Sequence, residues 1–220
     1  MLTDPVCVEE THTFGTHASQ GVDLVTYLLE RARDPRWRAV ILAHPCSGTT
    51  WLCDTMRALG VPANHELLRP ADGDPRVLVT FRALGFAPLR AGEERLHLVR
   101  DPARVVQSAA VLFAQRPRVA RDIYAQILND GLSINLPAVG QMGPLALAAW
   151  TLSVFNQRAE ERTEYRFRIE DVGHRTTRLD AEIRANSHVG DRGPAQGLRW
   201  EDLQVFVDPL QTQRRRYGYA

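Results

Sequence analysis

The stretch "AVILAHPCSGTTWLCDTMRALG", residues 39–60, passes from an apolar run through a loop of small residues into a helical pattern. It constrains the fold more than any other feature, because the same order returns later. "RLHLVR" at 95–100 is a second short apolar strand, and "DPARVVQSAAVLFAQ" follows it as a helix, with Asp101 a natural N-cap and Pro102 at the first helical position. Around these units, residues 21–33 carry apolar positions at helical spacing, 39–44 form a buried strand and 49–59 a helix. Further helices are expected at 117–129 and 144–160, then a strand near "EYRFRI" and a short C-terminal helix before "RRRYGYA". Strands alternating with helices predict an α/β fold, a parallel sheet with helices on both faces. In such sheets ligands bind beyond the carboxyl ends of the strands, where both loops fall.

The 220 residues, 44% of them hydrophobic, suit a single domain spanning 1–220 with a full-sized core. Proline and glycine clusters near 70–75, 137–144 and 190–197 read as loops inside it, and residues 1–20 as an N-terminal extension. With 27 basic residues against 26 acidic ones the net charge is +1, so no global field recruits nucleic acid or an anionic membrane. Every one of those basic residues is arginine, which removes catalytic lysine from consideration. Cys7, Cys46 and Cys53 have no paired spacing, and no apolar run approaches the roughly 20 residues of a membrane span. The N-terminus has no apolar core followed by a small-residue cleavage site. A cytoplasmic protein without a metal site is expected.

A loop of small residues between strand and helix lets successive backbone N–H groups converge on an oxyanion, and the helix dipole adds to the attraction. Ser47, Gly48, Thr49 and Thr50 meet that need. An ordinary strand-to-helix turn capped by Thr49 or Thr50 would use the same residues. A nucleoside-triphosphate P-loop is excluded, because its pattern requires a lysine that this chain lacks. A cysteine phosphatase built on Cys46 would need an arginine six residues on, where Leu52 stands. A zinc deaminase would need cysteines two residues apart, whereas six separate Cys46 from Cys53.

What remains resembles the sulfotransferases that use 3′-phosphoadenosine-5′-phosphosulfate (PAPS), whose first signature is a strand followed by P-[KR]-S-G-T-T-W-L. Here it stands as Pro45-Cys46-Ser47-Gly48-Thr49-Thr50-Trp51-Leu52. The family's second signature, R-D-P with a serine in the next helix, is similar to Arg100-Asp101-Pro102 with Ser108. A bacterial branch has G-H-E after the first helix, matched by Asn64-His65-Glu66. It also has a tryptophan and an asparagine on a helix before R-x-E-D-L, matched by Trp150, Asn156 and "RIEDV". Its W-E-D-L and G-Y endings resemble residues 200–203 and 218–219. The resemblance covers about residues 36–220.

The resemblance implies that the backbone of the loop Cys46–Thr50 holds the 5′-phosphosulfate, with the Thr49 and Thr50 hydroxyls as further donors. Trp51 would stack on adenine, a use that suits a flat indole. Arg100 would bind the 3′-phosphate through paired charge-assisted hydrogen bonds with Ser108 beside it, and Arg192 in "GDRGPAQG" would add a third contact. His65 or Glu66 would be the base for sulfuryl transfer to a hydroxyl or amine of a small-molecule or carbohydrate acceptor. Trp150, Asn156, Glu170 and Asp171 are expected to be scaffold, "RRR" at 214–216 a solvated face, and residues 67–92 and 109–145 the walls of the acceptor pocket.

One position departs from the family. Its lysine or arginine beside the bridging oxygen is replaced by Cys46, a neutral thiol. Loss of one preorganised donor costs about 10²–10³ in rate. Two readings follow: an active transferase in which Arg57, Arg69 or Arg82 reaches the leaving group, or a binder of PAPS or its desulfonated product that has lost turnover.

Overall fold

The computed structural model describes residues 22–65, 75–81, 93–129, 142–171 and 207–219. Five strands, β1 (Arg38–Leu42), β2 (Ala63–His65), β3 (Val77–Thr80), β4 (Glu93–Val99) and β5 (Tyr165–Arg168), form one sheet in the order β2-β3-β1-β4-β5. Every pairing is parallel, with Ile41 opposite Val79 on one side and Leu96 on the other. The helices are α1 (Leu24–Arg31), α2 (Thr49–Ala58), α3 (Pro102–Gln115), α4 (Pro117–Asn129), α5 (Pro144–Glu160) and α6 (Val207–Arg216).

Alternation along β1 divides the core. Ala39, Ile41 and Ala43 face α1 and α2, packing with Leu28, Leu52, Met56, Leu96 and Leu98. Val40 and Leu42 face the opposite side, where α3, α4, α5 and α6 supply Val106, Ile123, Phe155 and Leu210. Helices therefore cover both faces, as the alternating pattern predicts. The helix after β1 lies on one face and the helix after β4 on the other, so the two chains part at the carboxyl ends of adjacent strands. In open parallel sheets such a divergence marks the place where ligands bind.

Asp101 caps α3 as expected, accepting from the Ala103 N–H at 3.1 Å, and Pro102 opens the helix. The C-terminal helix runs through "RRR" instead of stopping before it. Arg214 lies 3.3 Å from the Asp101 carboxylate and Arg216 2.7 Å from that of Glu160, so this run is not simply a solvated face. Two strands escape the sequence pattern: β2, three residues long, and β3, four. The acceptor-pocket assignment needs correction accordingly. Val77–Thr80 is an inner strand of the sheet, and Ala109, Leu112, Phe113, Ala120, Ile123 and Ile127 are core. Among the described residues no helix is long and apolar enough to cross a membrane.

Candidate functional site

The loop after β1 turns sharply. Ser47 N–H donates to the His44 carbonyl at 3.1 Å, and both Cys46 (φ 72°) and Gly48 (φ 89°) adopt left-handed backbone. Such a conformation is unusual for a residue with a side chain, and left-handed residues alternating along a loop turn neighbouring N–H groups toward one concavity. Gly48 has a second reason to lack a side chain, because a Cβ there would stand 2.9 Å from Ile169 Cγ1, just beyond β5. Gly48 is also the N-cap of α2, with no side-chain cap. Among the described residues the N–H groups of Gly48, Thr49 and Thr50 have no hydrogen-bond partner, which leaves the positive end of α2 uncapped.

Two side chains named from the sequence reach this loop from other strands. Arg100, at the end of β4, donates from its guanidinium to the Cys46 carbonyl at 3.0 Å. His65, the last residue of β2, places Nε2 2.7 Å from Thr49 Oγ1. Burial lowers the pKa of His65, with Arg57 pushing the same way and Asp54 opposing. The imidazole is thus held toward its neutral form, the form that can accept a proton.

The other named residues are dispersed. Ser47 and Thr49 are buried and Thr50 is exposed. Ser108 is half-buried on α3, about 9 Å along the helix from Pro102 at 1.5 Å per residue. Trp51 is half-buried against the α1–α2 core. Glu66, Arg69, Arg82 and Arg192 lie outside the described residues. Arg57 does not serve the loop: it sits in the last turn of α2, bonded to the Ala63 carbonyl at 2.7 Å and to Asp54 at 3.2 Å.

The residues expected to be scaffold tie the site's second strand in place. Glu170 accepts from the Asp101 N–H at 3.2 Å and from the Tyr219 hydroxyl, while Arg168 pairs with Asp171 and donates to the Gly218 carbonyl at 2.8 Å. Asn156 Oδ1 faces His97 Nε2 at 3.3 Å, and its amide donates to Gln213. Trp150 stacks at a tilt on Tyr124, 5.6 Å between ring centres. The chain ending in "GY" therefore packs against β5 and the start of α3, next to Arg100.

Sequence reasoning passed over His44, Thr151 and Ile169. His44 adjoins the loop but belongs to no motif read from the sequence; Thr151 meets His44, and Ile169 meets Gly48, only through tertiary contact. Among the described residues no group of three or more His, Cys, Asp and Glu could hold a metal ion. No protein-family model matches the chain, and no curated protein matches it.

Proposed function

We propose that this chain is a PAPS-dependent sulfotransferase whose loop 46–50 binds the phosphosulfate of the nucleotide. The observation that carries the reading is convergence: His65 and Arg100, from β2 and β4, both bond the loop that follows β1. Its left-handed residues and the unpartnered N–H groups at the start of α2 suit an oxyanion. Arg100 is the cation at hand, and its remaining N–H groups are available to a phosphate.

In the reaction, an acceptor oxygen or nitrogen forms a bond to sulfur while the bond from sulfur to the bridging oxygen breaks. The electron pair of that bond leaves with the 3′,5′-bisphosphorylated nucleotide, and the acceptor's proton passes to His65. Thr49 orients the imidazole, and burial keeps it unprotonated near neutrality.

A second reading rests on Cys46. With a thiol where the family has a cation, the chain would hold PAPS or the bisphosphate without turning it over.

Calorimetry separates these from a fold without this ligand. The 3′,5′-bisphosphate should bind and adenosine 5′-phosphosulfate should bind poorly; equal affinity would defeat the assignment of Arg100. Arg100→Ala should weaken the bisphosphate by about 1.5–3 kcal/mol, the worth of a hydrogen bond to a charged group. With radiolabelled PAPS and a panel of phenols, amines and sugars, His65→Ala should abolish transfer and leave nucleotide affinity nearly unchanged. Binding by the parent chain without transfer to any acceptor would favour the second reading.

A further inference from the structure

His44 lies at the end of β1, is fully buried, and takes no part in the chemistry proposed above. Its Nδ1 is 2.8 Å from the Pro45 carbonyl and its Nε2 3.1 Å from Thr151 Oγ1 on α5. A carbonyl only accepts, so Nδ1 carries the proton; Nε2 is the acceptor side of the ring and faces the Thr151 hydroxyl, whose single proton also has the Ala148 carbonyl within reach at 3.2 Å. The ring stands edge-on to Phe155, 5.7 Å between centres, which fixes its plane. Burial pushes its pKa down to about 4, so this neutral tautomer persists at pH 7.

The consequence for the loop follows from peptide geometry. In a trans peptide the C=O and the next N–H point in opposite directions, and the described chain contains no cis bond. With the Pro45 carbonyl turned toward the buried imidazole, the Cys46 N–H is turned away from it. The next peptide is held at both ends, its carbonyl by Arg100 and its N–H by the His44 carbonyl. Two consecutive peptide planes are thereby set before Gly48 and the open end of α2.

We infer that His44 is a positioning residue, whose Nδ1–H sets the Pro45–Cys46 peptide plane and so shapes the loop for an oxyanion. The anion itself rests on the function proposed above; the orientation of the peptide does not.

Two substitutions split the ring's functions, because asparagine Nδ2 can donate from nearly the place of Nδ1 and the glutamine amide oxygen can accept at nearly that of Nε2. His44→Asn retains a donor for the Pro45 carbonyl and loses Thr151. His44→Gln does the reverse. In the ligand-free, ¹⁵N-labelled full chain, Nδ1 of His44 should be the protonated nitrogen at pH 7, and the Cys46 and Gly48 amide resonances should move in His44→Gln much more than in His44→Asn. The 3′,5′-bisphosphate, used as probe, should bind His44→Asn nearly as the parent and His44→Gln about tenfold more weakly, the scale of one hydrogen bond.

A protonated Nε2 in the parent, or equal amide shifts in the two variants, would overturn the inference. So would affinity losses that merely track melting temperature. If the parent binds neither the bisphosphate nor inorganic pyrophosphate, the functional reading fails, and the nitrogen and amide resonances still decide the role of His44.

Discussion

Cys46 concentrates the chemistry at the scale of one residue. Its backbone is left-handed and its carbonyl accepts from Arg100, while its half-buried side chain packs against the core formed by α3, α4 and α5. The backbone can serve an anion whatever the side chain is; only the side chain could have carried a charge to the leaving group. On the proposed function, Cys46→Lys should therefore raise single-turnover transfer from PAPS, by up to about 10²–10³ if a preorganised donor is restored, with little change in nucleotide affinity. A silent substitution would favour the binder, and a slower enzyme would indicate that another arginine already occupies the position. Cys46→Ala should leave activity intact, which checks that the thiol is a bystander. The sequence named Cys46, Thr49, His65 and Arg100 separately. What it could not carry was the 2.7 Å approach of His65 to Thr49, because they lie on different elements and meet only through packing.

At the scale of elements, local chemistry was legible wherever a cap stood beside a periodic run. Asp101 and Pro102 mark the start of α3, and Pro117 and Pro144 that of α4 and α5. The start of α2 is different. Gly48 combines a left-handed φ with close approach to Ile169, a contact between the first loop and the turn after β5. Gly48→Ala should cost about 1–3 kcal/mol of stability through backbone strain alone, with the collision added. Urea unfolding of Gly48→Ala with and without Ile169→Ala separates the parts: the cost of the alanine should shrink when Ile169 is truncated. A cost unchanged by Ile169→Ala would assign all of it to φ. β2 and β3 escaped the sequence pattern because runs of three and four residues are too short to display a period.

At the scale of the whole molecule, two histidines buried among the described residues, His44 and His97, lie on the α3–α6 side of the sheet. Burial lowers the pKa of His44 to about 4; burial, assisted by Arg166, lowers that of His97 to about 3. The unfolded chain returns both to about 6.5. Above that value neither state binds the proton, and this source of stability is fully present. As pH falls below it, the unfolded chain takes up protons that the folded chain refuses, so stability is lost progressively toward pH 3–4. Melting temperature should thus decline from pH 7 to pH 4.5, and His97→Gln should flatten the decline by about one proton's worth of slope. An unchanged slope would mean that His97 is not neutral in the folded chain. The sequence by itself determined the strand-then-helix units, their caps, the parallel class and the loop of small residues, because each depends on periodicity or on residues within a few positions. Tertiary structure alone decided that β3 and β4 flank β1, that Arg100 and His65 converge on one loop, and that His44 reaches Thr151 107 residues away. Strand order is chosen by burial summed over both faces of the sheet, and that sum is not written in any local stretch of the chain.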